Sequence, residues 1–197
     1  MTEDERGKWD GRYASGDYQP RTWPSPFLEE WIPRLPTGRA LVIACGTGRN
    51  AIRLAEAGFR VEGVDISSVA ISRAEAEASR RGMDVAWRVA DLDDVDLEPS
   101  AYDLITVFRY RNRSLWPRLP SSLAPSGFLL IEHHLHSALD VAGPSSPEFR
   151  LEPQELLDEY VGALRILHYS EVLEPADKSG STYALARMAA CKGSPGF

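Results

Sequence analysis

Residues 41–65, LVIACGTGRNAIRLAEAGFRVEGVD, decide the fold of this chain. They begin with an apolar run suited to a buried parallel strand, and a turn at 45–48 follows in which glycines let the backbone approach a ligand closely. Small and apolar residues then recur at helical spacing, and a second strand ends at Asp65. A carboxylate about twenty residues beyond the glycines stands where a ribose would present its hydroxyls. The stretch therefore predicts a strand, a turn, a helix and a strand arranged to bind a nucleotide.

The glycine pattern taken by itself leaves other interpretations open. Gly46-x-Gly48-x-x-Ala51 also fits a dinucleotide fingerprint, and a tight turn of this kind occurs in other α/β proteins. The strand, the helix and Asp65 are in register with one another, which favours binding of a nucleotide or nucleoside.

Composition limits the remaining classes of function. The chain has 197 residues, 43% of them apolar, which suffices for one globular domain with a sizeable core. A formal net charge of −7 argues against generic binding to nucleic acid, which usually needs a positive surface. No apolar run approaches membrane-spanning length and the chain begins with charged residues, so we expect a cytoplasmic protein. Cys45 and Cys191 cannot by themselves form a disulfide framework or a zinc site.

The chain divides into three parts. Residues 1–39 are rich in aromatic residues and proline, which predicts an irregular arm followed by a short helix around 26–34. Residues 40–191 are expected to form the core domain, and residues 192–197 a disordered tail.

Helices are predicted between the strands of the core. Ser67 is a suitable N-cap for a helix that runs to Arg81 and stops at Gly82. A proline-broken helical stretch precedes the fifth strand, and Pro153 suits the first position of a helix that runs to about 161.

The strands complete the prediction of an α/β fold. A turn at 125–127 leads into the fifth strand, and the loop between the last two strands is too short for a helical crossover. Those two strands therefore form an antiparallel hairpin, and the whole is a doubly wound sheet with one reversed strand. The predicted strands span 41–43, 61–65, 85–89, 102–108, 128–132, 164–172 and 182–190.

Four stretches of the sequence resemble the class I S-adenosylmethionine-dependent methyltransferases. They are ACGTGRNAIRLAEAGFRVEGVDIS at 44–67, AD at 90–91, YDLITVFRY at 102–110 and LAPSGFLLIE at 123–132. The chain is most similar to small, single-domain members of the tellurite-resistance and thiopurine-methyltransferase type. The resemblance implies a Rossmann-like, mostly parallel seven-stranded sheet with an antiparallel last strand and helices on both faces. It also implies that WDGRY at 9–13 belongs to an arm that covers the site.

The resemblance further implies how S-adenosylmethionine would be bound. Asp65 would hold the ribose hydroxyls, Asp91 would accept from the adenine amino group, and Phe108 would lie near the sulfonium. Val42 stands where this family usually has an acid that orients the cofactor's amino group, so one charge-assisted contact worth about 1.5–3 kcal/mol is missing. The expected cofactor-binding residues are Trp9, Tyr13, Trp23, Ala44, Cys45, Gly46, Gly48, Asn50, Asp65, Ile66, Asp91, Leu92 and Phe108.

Candidate catalytic residues follow the fourth and fifth strands. The loop RYRNR at 109–113 could receive an anionic substrate, because a guanidinium offers forked donors; the alternative is that its arginines face solvent or pair with acids. Glu132 and the histidines at 133, 134 and 136 follow at the end of the fifth strand; His134 and His136 share a strand face and could bind a metal or act as a base, and the alternative is a polar strand end with one histidine in the pocket wall. We expect Arg109, Tyr110 and His133 to position the substrate or act as a base, and we expect no metal.

The sequence thus predicts methyl transfer to a small-molecule nucleophile, namely a thiol, another chalcogen or an oxygen, with an anionic acceptor among the candidates. Two alternatives stay open: a non-catalytic S-adenosylmethionine-binding or interaction protein, which Val42 motivates, and an NAD(P)-dependent oxidoreductase. The expected oligomeric state is a monomer or a weak homodimer, without a membrane partner.

Overall fold

A computed structural model describes residues 3–16, 20–176 and 180–195, and the ends of the predicted arm and tail at 1, 2, 196 and 197 lie outside the described residues. The seven strands form one sheet in the order β3-β2-β1-β4-β5-β7-β6. All neighbours pair in parallel except β7, which is antiparallel to both β5 and β6. The strands are β1 (Arg39–Ile43), β2 (Arg60–Asp65), β3 (Val85–Val89), β4 (Tyr102–Phe108), β5 (Leu123–His134), β6 (Arg165–Ala176) and β7 (Ser181–Cys191).

Helices pack on both faces of this sheet, as predicted. One apolar cluster joins Leu41 and Ile105 to the side of α5 and α6, and the other joins Ala40 and Leu104 to the side of α2 and α3. The helices are α1 (Glu3–Ser15), α2 (Pro26–Trp31), α3 (Arg49–Glu56), α4 (Ser68–Arg80), α5 (Leu119–Ser122) and α6 (Glu155–Tyr160). The doubly wound, Rossmann-like α/β fold and the final hairpin are therefore confirmed.

The predicted ends of α4 agree with the structure, whereas the predicted start of α6 does not. The Ser67 side chain accepts from the Ala70 N–H and caps α4, and Gly82 follows the helix with a left-handed φ of 67°. The prediction at Pro153 was wrong, because Gln154 has a φ of 65° and α6 begins only at Glu155.

Two further predictions need correction. The stretch 125–127 lies inside β5, where Ser126 has a φ of 63° and the pairing register shifts, so β5 is longer than the predicted 128–132. The described part of the predicted irregular arm at 3–15 is the helix α1. Its mostly polar sequence, with Gly7 and Gly11, carries little amphipathic signal, so α1 depends on tertiary contacts with α4. At the other end, Lys192 donates its backbone N–H to the carbonyl of Gly127 at 2.9 Å.

Candidate active site

The candidate site lies at the carboxyl edge of the parallel strands. The strand order reverses between β1 and β4, because one half of the sheet runs β1-β2-β3 and the other runs β4-β5. A crevice opens at such a switch point in doubly wound sheets, and ligands bind there. Two groups of residues lie at this edge. We call them the glycine-turn cluster and the arginine cluster.

The glycine-turn cluster consists of Gly46, Asp65, Ser67 and Asp10. Gly46 donates its N–H to Asp65 Oδ2 at 2.8 Å, and Ser67 donates its N–H to Asp65 Oδ1 at 3.0 Å. Each carboxylate oxygen thus accepts one backbone bond and keeps a lone pair for another donor. Burial raises the pKa of Asp65, and the backbone N–H groups of Ser67, Gly46 and Ile66 partly oppose that rise.

The backbone of the turn is held in a conformation that favours glycine. Gly46 and Gly48 have φ values of 54° and 82°, and Ala44 adopts 50° although it carries a Cβ. Gly48 also makes room for packing, because a Cβ there would lie 2.6 Å from Trp87 Cη2. The small residues of the turn therefore serve the packing of Trp87 as well as access to the backbone.

Helix α1 covers this turn. Asp10 Oδ1 accepts from Ser67 Oγ at 2.6 Å and from the Val69 N–H at 3.2 Å, which ties α1 to the start of α4. Tyr13 is buried, and its hydroxyl oxygen would lie 3.0 Å from a Cβ placed on Gly46. Trp9 stacks beside Tyr13 with ring centroids 6.0 Å apart. The described part of α1 thus lies over the glycine turn.

The residues expected to surround an adenine lie beside Asp65. Ile66 and Leu92 are buried, and Asp91 is half-buried at the end of β3. Asp91 Oδ1 accepts the N–H of Asp93 at 2.9 Å, and the N–H of Ala90 reaches the Asp65 carbonyl at 3.0 Å. The ends of β2 and β3 are therefore joined at this point.

Four other expected cofactor residues differ in their surroundings: two contact residues at 25–27, one is a buried thiol and one is half exposed. Asn50 Oδ1 accepts the Ser25 N–H at 3.0 Å, and the Cys45 thiol is buried, which raises its pKa well above the usual value. Phe108 faces α2, and its ring centroid lies 6.5 Å from that of Phe27. The Trp23 side chain is 50% exposed.

The arginine cluster consists of Arg21, Arg109, Glu132, Glu174, Tyr183 and Arg187. Glu132, at the end of β5, is 1% exposed and lies between two guanidiniums. Its Oε1 is 3.2 Å from Arg109 Nη2, and its Oε2 accepts from Arg187 Nε at 2.7 Å. Arg187 also donates to Glu174 Oε2 at 2.5 Å. Arg109 has a φ of 61°, so the chain turns sharply as it leaves β4.

Tyr183, at the start of β7, joins two arginines of this cluster. The Cζ atoms of Arg21 and Arg109 each lie 4.9 Å from its ring centroid, within cation–π distance. The ring of His134 lies 5.4 Å away, and Arg109 Nη1 is 3.1 Å from His134 Nε2. Burial lowers the pKa of His134 to about 2, and the charge of Arg109 adds to the effect.

The other loop arginines are engaged outside this cluster. Glu155 Oε1 lies 3.1 Å from Arg111 Nη2 and 2.8 Å from Arg113 Nε. Arg111 also donates to the Glu148 carbonyl. The loop 109–113 is thus tied to the start of α6 by a carboxylate.

His133 and Tyr110 point to the face of the sheet that carries α5 and α6. His133 Nε2 donates to the Phe149 carbonyl at 3.0 Å, and Nδ1 is buried without a hydrogen-bond partner among the residues described. Burial lowers the pKa of His133 to about 4, so its imidazole is neutral at pH 7. Burial raises the pKa of Tyr110 above its ordinary value, so the phenol keeps its proton.

Sequence reasoning missed Asp10, Arg21, Tyr183 and Arg187. Each acts through a partner far along the chain, such as Arg187 with Glu132 at a separation of 55 residues. Neither spacing nor motif reveals such pairs. For Arg187 the signal needed would have been the pairing of β7 with β5, in which Arg187 lies opposite Glu132.

Other features of the described residues add no second site of this kind. A surface cavity of about 590 Å³ is lined by Arg60, Glu62 and Gly82 near the amino ends of the strands, away from the candidate residues. Within the described ranges, no group of three His, Cys, Asp or Glu residues could hold a metal ion. The helices described there are all too short or too polar to cross a membrane.

The fold and the glycine-turn cluster define a doubly wound domain with a candidate nucleoside site at its switch point, and parts of known proteins are similar to this chain. Residues 40–125 match the family model described as "Methyltransferase domain". "Probable thiol methyltransferase 2" of Arabidopsis thaliana is 30% identical over 144 residues, 66% of this chain and 62% of that protein. The chain spans less than two thirds of the length of the curated relatives it matches.

Solved structures share the fold. TehB from Haemophilus influenzae has a TM-score of 0.75 at 21% identity, covering 93% of this chain and 67% of that one. Phosphoethanolamine N-methyltransferase 2 of Haemonchus contortus, solved with S-adenosyl-L-methionine, has a TM-score of 0.66 at 17% identity, covering 85% and 51%. Together with the domain match, these findings confirm the resemblance read from the motifs. Residues 40–125 are thus similar to a methyltransferase domain, and the fold around them is the fold of solved methyltransferases.

Proposed function

We propose that the protein transfers a methyl group from S-adenosylmethionine to a small-molecule nucleophile, a thiol or other chalcogen or an oxygen. The observation that carries the proposal is the Asp65 carboxylate, held by the N–H groups of Gly46 and Ser67 at the switch point of the sheet. The similarity to a protein named as a probable thiol methyltransferase supports a thiol as the first acceptor to test.

The hydrogen bonding of Asp65 gives the structural reason why the residues of this site would suit S-adenosylmethionine. Asp65 keeps a lone pair on each oxygen, which suits the hydroxyls of a ribose. Ile66 and Leu92 supply apolar surface for an adenine, and Asp91 supplies an acceptor for its amino group. When bound, S-adenosylmethionine supplies an electrophilic methyl group on a sulfonium.

The chain's own residues would mainly position the reactants. Holding two reactants in line can account for roughly 7–11 kcal/mol of barrier reduction. Trp9 and Tyr13 would help to exclude water from the transferred methyl, with Trp23 at the rim. Arg109 would orient the acceptor and His133 Nδ1 would offer a lone pair, while the buried phenol of Tyr110 suits a hydrogen-bond donor better than a base.

A weak general base fits a thiol acceptor. A thiolate needs no base within the site, whereas an alcohol does. Because the pKa values of His133 and His134 are lowered to about 4 and about 2, neither imidazole is a strong base. The low basicity of both imidazoles favours a nucleophile that ionises in solution near neutral pH.

Val42 supports a second candidate, a protein that binds S-adenosylmethionine weakly without turnover. Val42 is buried in the first strand where the family usually has an acid, and its register partner Thr106 has a buried hydroxyl without a hydrogen-bond partner among the described residues. The contact for the cofactor's amino group would then be lost.

Calorimetric titration with S-adenosylmethionine, with NADH as the control, tests the proposal. We expect micromolar binding of the sulfonium compound alone, followed by methyl transfer to a panel of thiols and phenols. Binding without transfer would favour the second candidate, and binding of NADH would favour an oxidoreductase. For the remaining properties we propose a cytoplasmic location and a monomer or weak homodimer, which gel filtration with light scattering would test.

A further inference from the structure

The arginines near the carboxyl ends of β4 and β5 differ in whether a carboxylate already engages them. Arg109 and Arg187 share Glu132, and the two other loop arginines share Glu155. Arg21 makes no ion pair within the described ranges; its guanidinium stacks on Tyr183 at 4.9 Å and on Trp23 at 5.8 Å. Arg21 is thus the guanidinium of the arginine cluster whose donors are available to a ligand.

The charges of the arginine cluster do not balance. Arg21, Arg109 and Arg187 carry three positive charges, whereas Glu132 and Glu174 carry two negative ones. Arg21 and Arg109 stack on one tyrosine ring, so their charges repel at short range. Burial lowers the pKa of Arg109, and the charge of Arg21 lowers it further. An anion bound beside Arg21 would relieve this excess.

The second guanidinium on the Tyr183 ring, that of Arg109, carries a donor without a hydrogen-bond partner among the described residues. Arg109 Nη2 lies 3.2 Å from Glu132 Oε1, yet it is buried and makes no well-aligned hydrogen bond to any described residue. A guanidinium with a donor left over is suited to a second carboxylate, since its N–H groups form a planar fork. Arg109 can therefore complete an anion site without giving up Glu132.

The position of Arg21 connects this excess charge to the glycine turn. The segment after Arg21 crosses the edge of the sheet, where the Trp23 carbonyl accepts from Arg49 Nη1 at 2.8 Å at the start of α3. Ser25 then donates its hydroxyl to Glu132 Oε1 at 3.4 Å. Through these contacts the segment after Arg21 connects the arginine cluster to the start of α3, next to the glycine turn.

We propose that Arg21 selects a methyl acceptor that carries a carboxylate, with Arg109 completing the anion site and the rings of Trp23 and Tyr183 packing against the acceptor's apolar part. The inference rests on the proposed function, which it deepens by naming the class of acceptor. Arg21 is a specificity-determining residue in this proposal, and the arginines at 111 and 113 contribute nothing to it.

The test compares 4-mercaptobenzoate with 4-mercaptobenzamide, two thiols that differ in charge but little in shape. Binding is measured by calorimetry in the presence of S-adenosylhomocysteine, so the readout does not depend on turnover. We expect the wild-type protein to bind the carboxylate at least about tenfold more tightly than the amide, the scale of a charge-assisted hydrogen bond. Arg21→Met should abolish that preference, and Arg21→Lys should restore part of it because the charge returns without the fork.

Arg113→Met is the matched control, because Arg113 is 61% exposed and its partner is Glu155. It should keep the wild-type preference. Equal binding of the two thiols, no binding of either, or a preference that survives Arg21→Met would each overturn the proposal. Titration of the same proteins with S-adenosylmethionine separates the anion site from the proposed function. If the wild-type protein does not bind S-adenosylmethionine but still prefers the carboxylate, the proposed function is refuted and the anion site stands.

Discussion

The glycine-turn cluster and the arginine cluster hold their carboxylates in different ways. Asp65 is held by two backbone N–H groups from residues at most 19 positions away, and these donors carry no net charge. Glu132 is held by two guanidiniums that lie 23 and 55 positions away. The first arrangement keeps a negative charge available for hydroxyl donors, whereas the second neutralises its carboxylate and leaves positive charge over. This difference is the reason why we propose a ribose on one side of this edge of the sheet and an anion on the other.

Replacing Glu132 should have the largest effect, because it breaks the arginine cluster at its centre. Glu132→Gln leaves two partly buried guanidiniums without the buried counter-charge that they share, and breaking a buried ion pair costs about 3–5 kcal/mol. We expect the free energy of unfolding in urea to fall by about 3 kcal/mol. Glu98→Gln is the control: Glu98 is 60% exposed and pairs with Arg39 at the surface, so its loss should cost less than about 1 kcal/mol. Equal losses would mean that burial does not distinguish the two pairs.

The equivalent change in the glycine-turn cluster should affect the ligand more than the fold. Asp65→Asn retains an oxygen for one backbone N–H but loses the charge that suits two ribose hydroxyls. We expect the affinity for S-adenosylmethionine to fall about 100-fold by calorimetry, while the circular dichroism spectrum is unchanged. Asp94→Asn, at an exposed carboxylate, should bind as the wild type does. An unchanged affinity in Asp65→Asn would remove Asp65 from the cofactor site.

The same contrast explains how much could be predicted from the sequence. The strand β4, the cap at Ser67 and the turn around Gly46 are set by neighbours in the chain, so periodicity and residue type reveal them. Helix α1 was missed because its partner residues, among them Ser67 and Val69, belong to another helix.

The arginine cluster lay beyond sequence reasoning for a related reason. The loop 109–113 was recognised as cationic, but the sequence does not say which arginine a carboxylate will engage. Glu155 engages the arginines at 111 and 113, and Arg21 enters from the arm. Such choices are made by tertiary pairing across 40 to 160 residues of chain, roughly, and cation–π or ionic contacts of that kind carry no local pattern.

A smaller effect is expected for His133, which lies in β5 next to Glu132 and influences how the stability of the fold depends on pH. Burial lowers the pKa of His133 to about 4 from 6.5, so the unfolded chain binds more protons between these values. The contribution of the neutral His133 to the free energy of unfolding is complete above pH 6.5 and is lost as the pH falls toward 4. Between pH 7 and pH 5 the free energy of unfolding therefore falls by about 2 kcal/mol on account of His133.

We therefore expect His133→Gln to lose about 2 kcal/mol less than the wild type when urea unfolding is compared at pH 7 and pH 5. The glutamine amide can still donate to the Phe149 carbonyl, and His134 is present in both proteins. His136→Gln, at an exposed position, should retain the wild-type dependence. If both variants behave alike, His133 is not held neutral by burial.

The smallest predicted effect concerns β1, where Val42 stands in place of the acid that is usual in the methyltransferases which the sequence resembles. Val42→Asp puts a carboxylate beside Thr106, whose buried hydroxyl lacks a hydrogen-bond partner among the described residues. The hydroxyl would donate to the new carboxylate and orient it toward the turn. We expect S-adenosylmethionine to bind about tenfold more tightly, which corresponds to one charge-assisted contact with the cofactor's amino group.

Two controls separate charge from shape in this experiment. Val42→Asn offers a similar side chain without the charge and should bind the cofactor no more tightly than the wild type. Adding Thr106→Val to Val42→Asp should reduce the gain, because the carboxylate then lacks its buried donor. If Val42→Asp leaves the affinity unchanged, the missing acid is not a lost contact, and the non-catalytic alternative loses the observation that motivates it. If the affinity rises but methyl transfer stays absent with every acceptor, that alternative becomes the better account of the chain.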